Sequence, residues 1–275
     1  MFKKILIANR GEIATRIVRT CREMGIYTIA LYEKPDQGSR HVRIADECVL
    51  LEAPNGFMNQ EAILQIAQKT GAEAIHPGYG YLAEEPEFAR ACEAAGIAFV
   101  GPNSAILETL RDKIQTLARV SAAGFPVVDY APVGFDKDDL GALDAAADLI
   151  GYPLVVKSCR GGRSSTERLL QSPDKLTQVV RRAQAEAQAM YGNRRVYLEK
   201  AILPAHQVGV QILADKNGRF LHLGEREGSA QVGNRKVVEE APAPALRQRN
   251  VRNCGKGLWV LPVYLAMKMW EPLNS

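Results

Sequence analysis

The sequence predicts an α/β protein in which a doubly wound parallel sheet is followed by a second domain of the α+β class. Over the first hundred residues, short β-rich runs alternate with helical patterns, as in parallel sheets that carry helices on both faces. From about residue 195 the strand patterns are separated only by turns, which is typical of antiparallel sheets. A chain of 275 residues with 47% hydrophobic residues is also long enough for two domains.

The first half supplies its elements in regular alternation. The predicted strands are KILIANR, YTIALYE, ECVLL, AEAIHPG and IAFVG, and the predicted helices are EIATRIVRTCREMG, NQEAILQIAQKTG and EEPEFARACEAAG. On the first helix, Ile13, Ile17, Val18 and Cys21 recur at helical spacing, so we expect this stripe in the core. The turn ANRGEI has only Gly11 where a dinucleotide-binding turn needs three glycines, which argues against a nicotinamide or flavin site.

The second half begins with helices and ends with strands. SAILETLRDKIQTLARVSAAG predicts one long helix that stops at Gly124. Two further helices, DDLGALDAAADLIG and DKLTQVVRRAQAEAQAMYG, flank the strand YPLVVKS, and four strands follow in RRVYLEKAI, HQVGVQILAD, RFLHLGERE and KVVEEAP. We therefore expect an α/β domain over residues 1–115, an α+β domain over residues 116–245, and a divergent tail over residues 246–275.

Composition and charge exclude several classes of protein. The formal net charge of +4 is spread along the chain, so we expect no nucleic-acid partner. Five widely spaced cysteines without metal-ligand spacing indicate reduced thiols in a cytoplasmic protein, and the first residues lack a signal-peptide pattern. The apolar run GLWVLPVYLAM is short and is followed by Lys268, so we expect no membrane span.

Three features of the second half carry chemistry. Lys157 leaves the strand YPLVVK into a loop that contains Gly161 and Gly162, and such loops present backbone N–H groups to anions. Lys113 lies on a predicted helix, and two lysines can neutralise adjacent phosphates. On the strand YLEKAI, Glu199 could accept a hydrogen bond from the amino group of adenine. Taken singly, residues of these types are more often solvated surface residues.

Several motifs follow one another between residue 1 and about residue 245. They are KILIANRGEIA, HPGYGYLAEEPEFA, GPN, RDK, GYPLVVK, YLEK and KVVEEAPAP. In this order they resemble the biotin carboxylase branch of the ATP-grasp ligases. The resemblance implies a pre-ATP-grasp domain followed by an ATP-grasp domain, here incomplete. It also implies an ATP-dependent ligase that forms carboxyphosphate from ATP and bicarbonate and then carboxylates biotin.

The resemblance further implies partners and site residues. The partners would be a biotin carboxyl carrier protein or domain, a carboxyltransferase of an acetyl-CoA, propionyl-CoA or pyruvate carboxylase, and a second copy in a homodimer. The implied residues are Lys113, Lys157, Gly161 and Gly162 at the phosphates, Glu199, Lys200 and Ile202 at the adenine, Gln231 near the ribose and adenine, and Lys236 as the catalytic lysine close to the bicarbonate.

The loop after Lys157 departs from the family pattern. Relatives carry an almost continuous glycine run there, because such a lid needs positive φ angles and close contact between backbone N–H groups and phosphate. This chain has instead Arg160, Arg163, Ser164, Ser165, Thr166 and Glu167. We therefore expect weakened closure over the phosphates. Asn234 and Gly209 also replace a histidine and a glutamate of the family pattern.

The residues after the KVVEEAPAP motif depart further. Family members continue with glutamates that bind magnesium and with residues that handle bicarbonate, whereas here the only acidic residue after Glu240 is Glu271. Since magnesium usually needs one or two carboxylates besides the phosphates, we expect its ligands to be absent and carboxylation to be impaired. A reading frame lost near residue 250 would explain the tail. Within the tail, Lys268 lies in the tetrapeptide AMKM, which resembles the motif that carries biotin in carrier domains. This is either a coincidence or a biotinylation site.

Two other functions fit the sequence. The first is a non-catalytic homologue that binds nucleotide or a full-length partner, which the missing carboxylates favour. The second is another ATP-grasp ligase, such as an enzyme of the carbamoyl-phosphate synthase type, which also phosphorylates bicarbonate. The motifs HPGYG and KVVEEAPAP argue against a purine-pathway ligase more strongly than against carbamoyl-phosphate synthesis.

Overall fold

The computed structural model describes residues 1–135, 140–160, 168–215, 217–232 and 235–246. Its contacts divide the chain into two compact units, with the division between Thr109 and Leu110. Each unit has a hydrophobic core of its own. In the described residues, no helix reaches the length and apolarity that a bilayer crossing requires.

The first unit is built on five parallel strands with the order β3-β2-β1-β4-β5. The strands are β1 Lys4–Ile7, β2 Tyr27–Tyr32, β3 Glu47–Leu50, β4 Ala74–His76 and β5 Ala98–Phe99. The helices are α1 Gly11–Glu23, α2 Arg40–Ile44, α3 Gln60–Thr70, α4 Pro86–Ala94 and α5 Ser104–Arg111, the last of which extends across the division between the units.

Both faces of the parallel sheet in the first unit are covered. Successive side chains along a strand point to opposite faces, and here the side chains on both faces are apolar and buried. Ile5 and Ile7 of β1 pack with Val18 and Cys21 of α1 on one face. On the other face, Leu6 belongs to a second cluster that includes Ile63 of α3 and Phe88 and Cys92 of α4. The doubly wound arrangement predicted from the alternation of strands and helices is therefore confirmed.

The carboxyl ends of β1 and β4 mark the point where the strand order reverses, which is where α/β folds usually bind ligands. Here the protein's own loop occupies that position. Asn9 is fully buried and donates from Nδ2 to the carbonyl oxygens of Pro77 and Tyr79, at 2.7 and 3.0 Å. Gly78 lies at a φ of +66°, and a Cβ on it would come within 2.6 Å of Ile13.

The described residues of the second unit form three helices that begin after Asp112, as well as small antiparallel sheets. Its helices are α6 Lys113–Ala122, α7 Leu140–Ile150 and α8 Leu176–Tyr191. Strands β6 Leu154–Ser158, β7 Leu169–Leu170 and β8 Val196–Lys200 form a sheet of order β7-β6-β8. A hairpin joins β9 Val208–Ala214 to β10 Phe220–Glu227, and β11 Gln231–Val232 pairs with β12 Arg235–Lys236.

Two predictions about elements of the second unit are wrong in detail. The long helix predicted up to Gly124 is interrupted at Asp112, which has an extended backbone (φ −93°, ψ 107°). The Asp112 carboxylate accepts a hydrogen bond from the Gln115 N–H and so caps a new helix, α6. The strand predicted for KVVEEAP enters a sheet only through Lys236 of β12, while Glu240 forms an isolated bridge with Glu227.

Candidate nucleotide-binding site

The side chains on one face of the β7-β6-β8 sheet include Lys157 and Glu199. Lys157 pairs in register with Tyr197, and Val155 pairs with Glu199, so these four residues share a face. The alternate residues Leu154, Val156, Val196 and Leu198 face the other way and pack in the core with α7 and α8. Burial of this second set fixes which side chains the first face presents.

Glu199 is bound by two neighbours on that face. Lys157 Nζ lies 2.5 Å from Glu199 Oε1, and the Tyr197 hydroxyl donates to Glu199 Oε2 at 2.9 Å. The Lys157 side chain is 39% exposed, whereas that of Glu199 is 13% exposed. The lysine is therefore accessible to a ligand anion, while the carboxylate is largely enclosed and has both of its oxygens engaged.

Lys113 is held near the end of β6 by its own backbone. It is the first residue of α6, and its N–H donates to the carbonyl oxygen of Cys159 at 3.0 Å. Asp112, just before it, has a carboxylate oxygen 3.8 Å from Nη1 of Arg195. Burial raises the pKa of the enclosed Cys159 thiol to about 11, so the thiol stays neutral beside these charges. The backbone of Lys113 thus lies beside the chain two residues after Lys157.

Lys200 and Ile202 have surroundings that sequence reasoning did not foresee. Lys200 Nζ donates to the carbonyl oxygens of Gly151 and Tyr152 at 2.9 and 2.8 Å, just after α7 ends. The backbone N–H of Lys200 donates to the carbonyl oxygen of Asp129 at 2.8 Å. Ile202 is 65% exposed, as an apolar residue available to a flat ligand would be. The Lys200 side chain therefore supports the fold of this region.

Gln231 and Lys236 face each other across the β11–β12 pair. Gln231 Nε2 donates to the carbonyl oxygen of Gly228 at 2.7 Å and to Gln207 Oε1 at 2.5 Å. Lys236 Nζ lies 2.7 Å from Glu239 Oε1. These contacts bring the residue expected near the ribose and the residue expected near bicarbonate into one cluster, and they add Gln207, which the motifs did not single out.

Glu227 forms a second group of contacts at the end of β10. Its Oε1 lies 2.6 Å from His206 Nδ1 and accepts from the Ser229 hydroxyl at 2.9 Å, while Oε2 accepts from the Ala245 N–H at 2.9 Å. The hydrogen bond with His206, followed by the one from Ala245, lowers the pKa of this carboxyl. Glu227 therefore ties the segment around Ala245 to the hairpin.

Several predicted residues lie outside the described part of the chain. They are Gly161 and Gly162, the substituted loop positions Arg163, Ser164, Ser165, Thr166 and Glu167, as well as Asn234 and Lys268. Among the described residues, sequence reasoning missed Tyr197, Asp112 and Gln207. Tyr197 could have been found by the period of a strand, because residues two apart on β8 share a face with Glu199.

The two units match two different families of protein domains. Residues 1–107 match the family described as biotin carboxylase, N-terminal domain. Residues 112–257 match the family described as carbamoyl-phosphate synthase L chain, ATP binding domain. Biotin carboxylase from Allochromatium vinosum is 40% identical over 259 residues. The chain belongs to the biotin carboxylase family.

Other relatives carry names from the same group of enzymes. A pyruvate carboxylase subunit from Methanothermobacter thermautotrophicus is 39% identical over 90% of this chain and 50% of its own length. Biotin carboxylase from Nostoc is 44% identical over 89% of this chain and 55% of its own length. The Allochromatium protein is covered over 58% of its length and 93% of this chain. The chain thus spans between half and three fifths of these relatives.

Solved structures confirm the fold. The biotin carboxylase domain dimer of Hydrogenobacter thermophilus 2-oxoglutarate carboxylase, in complex with MgADP, ADP and bicarbonate, superimposes with a TM-score of 0.90 at 39% identity. It covers 98% of this chain, and 59% of its own chain is matched. Biotin carboxylase from Campylobacter jejuni, in a β-γ-ATP complex, gives a TM-score of 0.91 at 30% identity, with 97% and 60% covered.

The described residues fit a nucleotide better than a metal ion. Lys157 offers an accessible cation, and Glu199 offers a fixed hydrogen-bond acceptor. In contrast, no three His, Cys, Asp or Glu side chains of the described ranges are grouped so that they could hold a metal ion. Glu227 and Glu239 are engaged by protein groups of their own.

Proposed function

We propose that this chain binds ATP beside the face of the β7-β6-β8 sheet that carries Lys157 and Glu199, and that it acts as the ATP-dependent biotin carboxylase component of a biotin-dependent carboxylase. The observation that carries the proposal is the pairing of Lys157 with Glu199 on that face. Adjacent strands thus hold the Lys157 ammonium group, which can bind a phosphate, and the Glu199 carboxylate, which can accept a hydrogen bond from an amino group. Lys113, tied to Cys159 at the end of β6, would add a second cation.

Each remaining residue would have a part in the same site. ATP would supply the phosphoryl group that activates bicarbonate. Lys157 and Lys113 would hold the phosphates together with Gly161 and Gly162, and Ile202 would lie against the adenine. Gln231 would lie near the ribose, and Lys236 would hold the bicarbonate. Phosphoryl transfer depends chiefly on positioning and on charge neutralisation, which is what lysine side chains provide.

Binding of a nucleotide would rearrange the ion pair. Lys157 has one ammonium group, and in the structure it is directed at Glu199. A phosphate that bound Lys157 would draw this ammonium group away from Glu199. The freed Oε1 of Glu199 could then accept a hydrogen bond from the adenine amino group. The exchange would leave Lys157 paired with phosphate and Glu199 hydrogen-bonded to the adenine amino group and to Tyr197, which matters because a partly enclosed charge is costly when it is neither paired nor hydrogen-bonded.

The partners are part of the same proposal. A biotin carboxyl carrier protein or domain would deliver biotin, and a carboxyltransferase would consume carboxybiotin. The name of the Methanothermobacter relative and the dimer of the Hydrogenobacter domain support a complex of several proteins with a homodimeric carboxylase. The described cysteines Cys21, Cys48, Cys92 and Cys159 are unpaired, which favours a reducing compartment such as the cytoplasm.

Isothermal titration of the purified chain with ADP tests the proposed site. Lys157→Ala should raise the Kd for ADP by about tenfold or more, since it removes a charge-assisted contact to phosphate. Lys175→Ala, which removes an exposed lysine of the same unit, is the matched control and should leave the Kd unchanged. Unaltered affinity in Lys157→Ala would overturn the proposal.

The same titration in EDTA addresses the metal. Since we expect the magnesium ligands of the family to be absent, ADP affinity in EDTA should stay within about twofold of that in magnesium. A much larger dependence on magnesium would contradict this expectation and would show that carboxylates of the chain bind the metal.

The match to the carbamoyl-phosphate synthase ATP-binding family favours a second candidate, a ligase that phosphorylates bicarbonate for carbamoyl-phosphate synthesis. The biotin carboxylase match over residues 1–107 argues against it. Turnover assays separate the candidates: bicarbonate-dependent ADP release stimulated by free biotin supports a biotin carboxylase, and stimulation by ammonium supports the alternative. Binding of ADP without turnover in either assay would indicate a non-catalytic homologue.

A further inference from the structure

Tyr197 lies two residues before the candidate adenine-binding carboxylate of Glu199, on the same face of β8. It is only 1% exposed, and its ring packs with Ile114 and Cys159 against Leu117 and Tyr130. From this position its hydroxyl donates to Glu199 Oε2 at 2.9 Å. A buried phenol that donates to a carboxylate is held on both sides, by packing at the ring and by a charge-assisted hydrogen bond at the oxygen.

The two bonds to Glu199 differ in what a bound nucleotide would do to them. Lys157 binds the other oxygen, Oε1, and is itself the candidate phosphate ligand. When Lys157 turns to a phosphate, Glu199 loses that contact. The bond from Tyr197 does not depend on the phosphate, because it comes from a ring fixed in the core of the unit. Tyr197 therefore remains to orient the carboxylate after Lys157 has left it.

We propose that Tyr197 is the positioning residue that orients Glu199 toward the base of the bound nucleotide, and that it thereby sets the preference for adenine over hypoxanthine. This inference rests on the proposed function. Adenine carries an exocyclic amino group that can donate to a carboxylate, whereas hypoxanthine has a carbonyl oxygen at that position. A carboxylate fixed in one orientation thus favours adenine and repels hypoxanthine.

A phenol suits this task because it stays neutral and protonated. Burial, with the nearby Glu199 charge, raises the pKa of Tyr197, so its hydroxyl remains a hydrogen-bond donor over the working range of pH. As a neutral group it leaves the charge of Glu199 in place. A positively charged residue at this position would instead compete with Lys157 and with the adenine amino group for the same carboxylate.

The test compares Tyr197→Phe with the wild-type chain in titrations with ADP and with IDP. Phenylalanine keeps the ring in the core and removes only the donor. The ratio of the IDP to the ADP dissociation constant should fall by about tenfold, because ADP binding weakens while IDP binding changes little. Tyr130→Phe is the matched control, since Tyr130 packs in the same cluster and its backbone forms a bridge with Glu199. Its base preference should equal that of the wild type.

The outcomes separate the inference from the proposed function. A wild-type chain that binds neither nucleotide overturns the proposed function, and the inference with it. Wild-type binding with an unchanged base preference in Tyr197→Phe overturns the inference alone. An equal loss of affinity for ADP and IDP in Tyr197→Phe also overturns it, because that result is what a purely structural role would give.

Discussion

Lys200 illustrates how one side chain of a binding motif can serve the fold. The resemblance assigns it to the adenine pocket, but its ammonium group donates to two carbonyl oxygens that follow α7. These carbonyls belong to Gly151, at a φ of +74°, and to Tyr152, where the helix has already ended. A lysine in this position caps a helix end and compensates its negative dipole.

Lys200→Ala should therefore destabilise the chain. Two hydrogen bonds to a charged donor are lost, so we expect the free energy of unfolding to fall by about 1 to 3 kcal/mol in urea titrations. The affinity for ADP should change less than in Lys157→Ala. Lys175→Ala serves again as the control. Unchanged stability together with a large loss of ADP affinity would instead favour a direct contact between the Lys200 side chain and the nucleotide.

Gly78 combines two constraints that can be separated by experiment. Its φ of +66° disfavours any residue with a Cβ, and that Cβ would also come within 2.7 Å of Asn9 Nδ2. Gly25 has a similar φ of +69°, with nothing within 4 Å of the position of a Cβ. Gly25→Ala should cost about 1 kcal/mol of stability, from the backbone alone. Gly78→Ala should lower the free energy of unfolding by about 2 to 4 kcal/mol in urea titrations, since the close contact of its Cβ with Asn9 adds to the cost of the backbone conformation. Equal costs would contradict the role of Asn9.

The sequence predicts residues for the candidate site but not their contacts, and the role of these residues in binding a nucleotide stays a prediction. Lys157 and Glu199 were identifiable, because each stands on a strand next to a recognisable motif. Their ion pair depends on the register that places Val155 opposite Glu199. Such pairing is decided by burial of the opposite face and by residues about 40 positions away, so the local pattern does not contain it.

At the scale of elements, the helix break at Asp112 shows the same limit. The apolar pattern is helical on both sides of it, so periodicity alone predicts one helix. The structure divides that stretch because the Asp112 side chain caps α6 and lies near Arg195. An aspartate within a helical pattern is compatible with either outcome, and tertiary contacts decide between them.

The hairpin and the segment around Ala245 are joined through a carboxylate, so their contact should depend on pH. The pKa of Glu227 is lowered in the folded chain, chiefly by its hydrogen bond with His206. A glutamate with a lowered pKa stabilises the fold above the unfolded value of about 4.3, and this contribution is lost as the pH falls through the folded pKa. Acidification should therefore loosen the bond from the Ala245 N–H to Glu227.

Hydrogen exchange at the Ala245 amide measures this effect. Its protection factor should fall several-fold between about pH 6 and about pH 3.5 in the wild type, and it should be lower and nearly constant in Glu227→Gln. The amide of Val196, which donates to Phe135, is a control for unfolding of the unit as a whole. Parallel changes at both amides would mean that acid unfolds the unit rather than releasing this contact.

At the scale of the whole molecule, the two units bury separate cores. The clusters around Ile75 and around Ile7 draw their members from the first unit, and those around Leu154 and Tyr197 draw theirs from the second. The sequence predicted this organisation, because the alternation of strands and helices ends before the antiparallel strands begin. The finer boundaries of 1–115 and 116–245 remain predictions.

A fragment of residues 1–111 should consequently fold on its own. It contains the whole parallel sheet, with α1 on one face and α3 and α4 on the other, and a domain of about this size can bury enough surface for stability. We expect one cooperative transition in urea, followed by circular dichroism.

A shorter fragment of residues 1–95 supplies the contrast. It lacks β5, and with it the edge-to-face contact between Phe88 and Phe99, whose ring centres lie 6.0 Å apart. It also leaves β4 as an unprotected edge, which promotes association with other chains. This fragment should therefore unfold at lower urea or aggregate. If residues 1–111 showed no cooperative transition, the first unit would require the rest of the chain to fold, and the separate cores would not be independent folding units.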